Sequence, residues 1–497
     1  MSRWDIKPKC QKGIAMLRLG ERYQHFVHGA GCGCSSPELR QASLRLEEFT
    51  RRGFLAGIAA TAIAATTPLG AFAQAAMQPS KVLFRQLKLF DGKSDTARSG
   101  VQVLIEGNTI ASIDTSNSPP PSDATIVDCG DRMLMPGLID AHWHTLFAAV
   151  PITLAVTGDP GAIFTASTAE AERTLMRGFT TVRDLGGPVF TFKQAIDSGV
   201  IPGPRIFPSG AFITTSGGHG DLRMLSEIPR NPAQLSVVEK SGGAMIADSA
   251  DEVRMRVREQ MLQGASQIKI VGGGGVSSPR SPLDMSTFSE DDLRAGVSVA
   301  RDWNTYVTVH AYAPNTVQRA INAGAACIEH AHLMDDETAR LMAEKGIWLS
   351  IQPFLSLEDS MPLTGPSFDR LQQVIAGTLT AYDLARKYNI KTAWGSDMLF
   401  SPQMTARQGT MLTHLSRWYT NAQVLQMATS TNAELLALSN LRNPYPGRLG
   451  VLEAGAFADM LVVDGNPLEN INLMNEPEKN LAVIMKDGRI HKNTLKS

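Results

Sequence analysis

Pro136-Gly137-Leu138-Ile139-Asp140-Ala141-His142-Trp143-His144 is a short apolar run that enters through Pro-Gly and leaves through two histidines one residue apart. On a β-strand, side chains two apart point the same way, so His142 and His144 can grip one ion from one strand tip. A lone His-x-His pair also arises by chance on exposed strands; the apolar run and Pro-Gly ahead of this one give it weight. The layout recurs downstream. Apolar runs at 133–139, 179–182, 205–213, 267–271, 306–309, 326–328, 347–351 and 392–394 alternate with polar or glycine breaks and helical stretches. Such alternation predicts parallel strands joined by crossover helices. Eight units predict an α/β fold, a (β/α)8 TIM barrel, whose chemistry gathers at the carboxyl ends of its strands.

The helices have readable ends. Ser249-Ala250-Asp251-Glu252 has the form of a capping box, Val253, Val257 and Met261 continue as a stripe, and Gly264 stops it. Ser289 opens another helix with Leu293, Val297 and Ala300 on one face, and Gly324 and Gly346 close two more. Outside the barrel, 81–89, 101–113, 458–463 and 481–485 are strand-like, with turns at Asp91-Gly92 and Glu106-Gly107-Asn108. These flanks predict a small β-sandwich domain formed from both ends of the mature chain, residues 77–132 and 445–497, around a barrel of residues 133–440. Residues 221–248 show little periodicity and are expected to cover the barrel mouth.

The chain has 497 residues, 43% hydrophobic and 19% charged, with formal net charge −1. That composition is globular, and its balanced charge offers no basic face for nucleic acid. Five cysteines in this length make no disulfide scaffold. A leader is expected over residues 1–73. Thr50-Arg51-Arg52-Gly53-Phe54-Leu55 precedes an uncharged, alanine-rich run ending at Ala71-Phe72-Ala73, the form of a twin-arginine signal with a small-x-small cleavage site. A membrane anchor is the weaker reading, because the run is mostly Ala, Gly and Thr. Met16 is an alternative start. The leader implies the twin-arginine export machinery as a partner and a periplasmic or secreted protein. That route moves folded proteins, which suits a metal loaded before export. Cys10, Cys32 and Cys34 leave with the leader, and Cys129 and Cys327 stay, with no indicated pairing.

The strand ends carry the polar residues: His142, His144, Asp184, His219, Lys269, His310, His330, Gln352 and Asp397. One or two could be ordinary turn residues, but five of the ten histidines with a lysine and an aspartate in one ring point to a site. Lys269 lies in an apolar strand, where an ammonium either snorkels out, pairs with an acid, or becomes a neutral amine able to take up CO₂ as a carbamate. The following Gly272-Gly273-Gly274-Gly275 favours the ligand reading. His310 and His330 each end an apolar strand. His332, two residues on, could compete as a ligand, and is read as supporting His330. Asp397 ends Trp394-Gly395-Ser396-Asp397, where a carboxylate can touch both a metal and its water. Asp184 is read as a brace, and Arg280 as a solvated loop arginine rather than a carboxylate fork.

The set of His142-x-His144 after Pro-Gly-Leu-Ile-Asp, Lys269, His310, His330 and Gly395-Ser396-Asp397 resembles the metal-dependent amidohydrolase superfamily. So does the return through Gly447-Arg448-Leu449-Gly450 to Ala458-Asp459-Met460. Within it, His310-Ala311-Tyr312, Ile328-Glu329-His330 and Gly217-Gly218-His219-Gly220 resemble the subgroup of imidazolonepropionase-like proteins, prolidase-like dipeptidases, carboxypeptidases and an ochratoxin-hydrolysing amidase. His332 departs from it, standing where relatives often have glycine.

The resemblance implies two divalent metal ions: His142, His144 and Asp397 on one, His310 and His330 on the other, and a Lys269 carbamate bridging them. Nitrogen and oxygen donors suit zinc, with manganese or cobalt as alternatives. It implies amide hydrolysis of an N-acyl amino acid or dipeptide-like small-molecule substrate through a metal-bound hydroxide, with Asp397 as catalytic acid–base. His219 and Tyr312 would contact the substrate carboxylate or the developing oxyanion. The rivals are a lactonase, phosphotriesterase or cyclic-amide hydrolase on the same metals, and a non-catalytic periplasmic binding protein. A homo-oligomer is compatible with the sequence.

Overall fold

The computed structural model describes residues 81–495, apart from 232, 233 and 279; the leader, its cysteines and the start-site question lie outside the described residues. Among the described residues no helix is long and apolar enough to cross a membrane. The chain opens with β1 (Lys81–Leu89), β2 (Arg98–Glu106), β3 (Thr109–Thr115) and β4 (Thr125–Pro136), then turns at Gly137 into β5 (Leu138–Trp143). The run 133–139 is therefore two strands in different sheets, and the barrel begins at Leu138 rather than at residue 133. Both halves are buried, so apolar character runs unbroken through the corner and hides it in the sequence.

The barrel continues through β6 (Phe179–Asp184), β7 (Arg205–Pro208), β8 (Phe212–Thr214), β9 (Ala244–Ile246), β10 (Ile268–Val271), β11 (Val307–Ala311), β12 (Cys327–His330), β13 (Trp348–Ile351) and β14 (Thr392–Trp394). β5-β6-β7 and β14-β13-β12-β11-β10-β8-β9 are parallel ladders. The run 205–213 is interrupted between β7 and β8; its first part pairs with β6 and its second with β10. The Ser266 amide donates to Pro208 O (2.8 Å) and the Asp397 amide to His142 O (2.8 Å), which joins the two ladders into one ring. With β7 and β8 counted as the two parts of one interrupted strand, eight strands form that ring, and β9 is added outside it on β8.

Crossover helices α1 (Pro160–Met176), α2 (Phe190–Asp197), α3 (Ala250–Gln263), α4 (Glu290–Asp302), α5 (Pro314–Ala323), α6 (Asp336–Lys345) and α7 (Gly365–Lys387) follow the strands. The stripes read from sequence are buried: Val253, Val257 and Met261 on α3, Leu293, Val297 and Ala300 on α4. Ser289 and Asp292 complete a capping box on α4. On α3 the box is half formed, because Ser249 caps Glu252 N while the Glu252 carboxylate accepts from Asp248 N at 2.7 Å. A free amide one residue upstream competes successfully for that carboxylate.

After the barrel come β15 (Met460–Val463), β16 (Leu481–Lys486) and β17 (Arg489–Asn493). With the first four strands they make one sheet of order β17-β16-β15-β4-β1-β2-β3. β3 also bonds to residues 456–458, Ile110 N to Ala456 O and Ala458 N to Asn108 O, both 2.9 Å. The sheet thus rolls back on itself around Phe84, Leu89, Val103, Val462 and Val483. Cys129 lies in this core and Cys327 in the barrel; both are buried and free.

Candidate metal centre

The tips of β5, β10, β11 and β12 and the segment after β14 bring His142, His144, Lys269, His310, His330 and Asp397 to one cleft, which His219 and Tyr312 also line. Asp397 Oδ1 stands 3.1 Å from His142 Nε2 and 3.3 Å from His144 Nε2, and its Oδ2 is 3.9 Å from His330 Nδ1. The His310 and His330 rings are 4.4 Å apart, and His142 and His330 5.0 Å. His330 (φ 79°) and Asp397 (φ 53°) both occupy the left-handed region, where non-glycine residues are strained, and such strain collects at functional sites.

Glycine makes this crowding feasible. A Cβ at Gly395 would lie 2.4 Å from the backbone and Cβ of His142, so only glycine lets the segment after β14 approach β5. A Cβ at Gly275 would lie 2.3 Å from His219 Nδ1.

Each imidazole is oriented by a partner. His142 Nδ1 donates to Glu329 Oε2 (2.8 Å), which turns Nε2, buried and without a hydrogen bond, toward Asp397. His330 Nδ1 donates to Gln352 Oε1 (2.7 Å), and His310 Nε2 to Gly274 O (2.8 Å). Glu329 is anchored by Arg183 Nη2 (2.6 Å), and Arg183, wholly buried inside the barrel, also donates to Ala141 O, Tyr306 Oη and Ser350 Oγ. Asp140 Oδ1 accepts from the amides of His142 and Ser396, both 3.0 Å, and its Oδ2 from Ser396 Oγ and Gln408 Nε2. Asp140 thereby fastens the two motifs to each other. Asp184 accepts from Thr145 N (2.7 Å) and Gly186 N, so it braces the turn after His144. His332 Nε2 donates to Gln352 O (2.9 Å), and its ring is 6.2 Å from that of His330, stacked on Phe354. Arg280 is exposed.

Burial alone would raise the Asp397 and Glu329 carboxyls, but His142 beside Asp397 and Arg183 beside Glu329 hold both well below the usual carboxylate range. Burial lowers Lys269 to about 8, which brings its neutral amine within reach of ordinary pH. Burial also keeps His310 and His330 neutral, with pKa values well below the ordinary one, the form that can donate a lone pair.

Three donor atoms, one each from His142, His330 and Asp397, lie within 4.8 Å of one another. With the orphaned His142 Nε2 they fit a divalent cation in chemistry and in geometry. The amidohydrolase family profile matches residues 133–491. The chain belongs to the amidohydrolase family. It is a hydrolase acting on C–N bonds, of a generally metal-dependent superfamily. An Aspergillus niger protein, ochratoxinase, is 30% identical over 381 residues, covering 72% of this amidohydrolase and 76% of its own length. A crystal structure of an amidohydrolase superposes with a TM-score of 0.76 at 34% identity, covering 84% of this chain and all of that one. A prolidase complexed with N-methylphosphonate-L-proline gives 0.76 at 30% identity, over 83% and 100%.

The sequence reading did not assign Glu329, Arg183, Gln352 or Asp140 as orienting partners. The available signal was a charged or polar residue in or directly after an apolar strand, as in Thr181-Val182-Arg183 and Ile328-Glu329.

Proposed function

We propose that the protein is an exported binuclear-metal amidohydrolase that cleaves the amide bond of an N-acyl amino acid or dipeptide-like substrate. The observation that carries this reading is a buried ring of imidazole, lysine and carboxylate donors at the floor of a cleft with apolar walls, among them Phe147, Phe212, Phe354, Met398 and Phe400. Such walls suit an acyl group, with the polar groups confined to the reacting bond. The prolidase neighbour, complexed with a proline phosphonate, favours an amino-acid leaving half.

His142, His144 and Asp397 would hold one ion, His310 and His330 the other, and a Lys269 carbamate would bridge them. Two bound ions, zinc by donor type, would supply an ionised water and a Lewis acid for the carbonyl. Asp397 is kept ionised at rest, so it can take the water's proton and pass it to the departing nitrogen. His219, neutral and with Nδ1 unpartnered, and Tyr312, stacked on His330, stand where they can meet the substrate's polar groups. The Arg51-Arg52 leader supports export to the periplasm or beyond.

The test is a screen of N-acyl amino acids and dipeptides with zinc-loaded protein, following release of the free amino acid. Turnover supports the reading. Turnover of lactones or phosphotriesters alone replaces it with the nearest rival, and a metal-free protein without turnover replaces it with a binding protein.

A further inference from the structure

Phe400 holds a backbone conformation that phenylalanine rarely adopts. Its φ is 58°, in the left-handed region. Most of the other non-glycine residues there are Asn or Asp, whose short polar side chains tolerate it; Phe400 is the one large apolar residue among them in the described part of the chain. In this conformation its amide donates to Phe147 O (2.8 Å). The segment after β14 is thus tied to the segment after β5 a second time, just beyond the bond from Asp397 N to His142 O. A glycine would make that backbone bond without strain. What the strain retains is the ring.

That ring is cleft wall. Phe400 and Phe147 both line the cleft, with ring centroids 5.5 Å apart and planes tilted by 39°. The Phe147 ring is in turn 6.4 Å from that of His144, one of the candidate ligands. Phe212, also cleft wall, comes up beside the same imidazole: a Cβ at Gly186 would meet both Phe212 Cδ1 (2.7 Å) and His144 Nδ1 (3.3 Å). The polar pair occupies the other flank, His219 stacked on His310 at 4.6 Å and Tyr312 on His330 at 4.8 Å. The cleft therefore has two unlike sides across the metal centre, imidazole and phenol over His310 and His330, and three phenyl rings beside His144.

We propose that Phe400, paired with Phe147, is the residue that sets specificity for the acyl half of the substrate, selecting planar aromatic acyl groups over saturated ones of the same size. The inference rests on the amide-hydrolysis reading and deepens it by naming the acyl class. Apolar walls alone would accept either group, whereas a tilted ring pair adds the edge and face contacts that only another aromatic ring returns, at centroid distances of about 4.5–7 Å. The competing role is wall packing, in which the two rings fill space and favour no acyl shape.

Two arms separate these roles. The first compares N-benzoyl-L-leucine with N-cyclohexanecarbonyl-L-leucine as substrates of the zinc-loaded enzyme, in wild type and in Phe400→Leu, which keeps an apolar side chain and removes the aromatic face. The intrinsic reactivities of the two amides cancel when the variant's benzoyl-to-cyclohexanecarbonyl ratio of kcat/KM is divided by that of wild type. That ratio is expected to fall about 2- to 12-fold, the scale of one aromatic pairing. Equal loss on both substrates is the signature of packing and overturns the proposal. The second arm measures binding of benzohydroxamate and cyclohexanecarbohydroxamate to the zinc-loaded proteins by calorimetry, with no turnover required. A shift of the same size toward the saturated ring in Phe400→Leu supports the aromatic subsite, and an unchanged preference overturns it. If Phe400→Leu does not fold, Phe147→Leu decides in both arms by the same criterion. Wild type that cuts neither amide, yet binds the hydroxamates with a preference that Phe400→Leu loses, would sink the amide-hydrolysis reading and leave the subsite standing. Wild type that cuts both amides with a ratio that neither variant moves would do the reverse.

Discussion

Replacing Glu329 by Gln removes the charge that links Arg183 to His142 and changes almost no volume. Glu329 accepts from Arg183 Nη2 at 2.6 Å, His142 Nδ1 at 2.8 Å and Thr308 Oγ1, all fully buried. Glutamine retains one acceptor oxygen. If that oxygen faces Arg183 and Thr308, its NH₂ confronts the His142 Nδ1–H, and the imidazole must move its proton to Nε2, the atom facing Asp397. If the amide turns over, its NH₂ confronts Arg183. In either orientation a buried guanidinium loses its counter-charge, which costs about 3–5 kcal/mol. A mis-set ligand tautomer should weaken metal affinity about 10- to 100-fold. Urea unfolding of chelated protein reads the first quantity, and a zinc competition titration of the native protein reads the second. Because the pair acts as a unit, Arg183→Met combined with Glu329→Gln should be less destabilising than the two single losses added together. A Glu329→Gln protein within about 1 kcal/mol of wild type and with unchanged zinc affinity would refute the linkage, since that is the scale of an ordinary substitution.

Three further outcomes follow from the same geometry. Asp397→Asn should keep the fold and part of the metal but lower kcat by about 10²- to 10⁴-fold, the scale of a lost acid–base group; unchanged turnover removes Asp397 from that role. Lys269→Ala should lower metal content, and ¹³C-bicarbonate should give a carbamate NMR signal in wild type that the variant lacks. Burial pushes His491 down to about 4, with Lys486 and Arg489 adding to the effect. The native state therefore refuses a proton that the unfolded chain accepts near 6.5. Its stability contribution is full above that pH and is lost as pH falls toward 4, with a slope of at most about 1.4 kcal/mol per pH unit. His491→Asn should flatten urea-unfolding stability across that window relative to wild type, and parallel profiles would contradict the assignment.

The barrel was legible because its strands are short, doubly buried and separated by capped helices, so each unit announces itself locally. Gly137 was not, since the change from β4 to β5 alters which neighbour the strand bonds to and leaves its apolar character intact. The break between β7 and β8 was hidden for the same reason. Among the site residues, those at strand tips stand out as polar punctuation after apolar runs, and the structure brings His142, His144, His219, Lys269, His310, His330 and Asp397 to one cleft. The pairings that orient them were silent. Glu329 faces Arg183 across 146 positions and His142 across 187, pairings that no local pattern encodes.

Metal analysis of the purified, folded chain, made on the same sample before chelation, after chelation and after zinc reloading, with amide hydrolysis followed in parallel, tests the central claim most directly. The account predicts about two divalent ions per chain at full activity, loss of both ions and turnover on chelation, and return of both together. Hydrolysis that persists in a chain stripped of metal would contradict it.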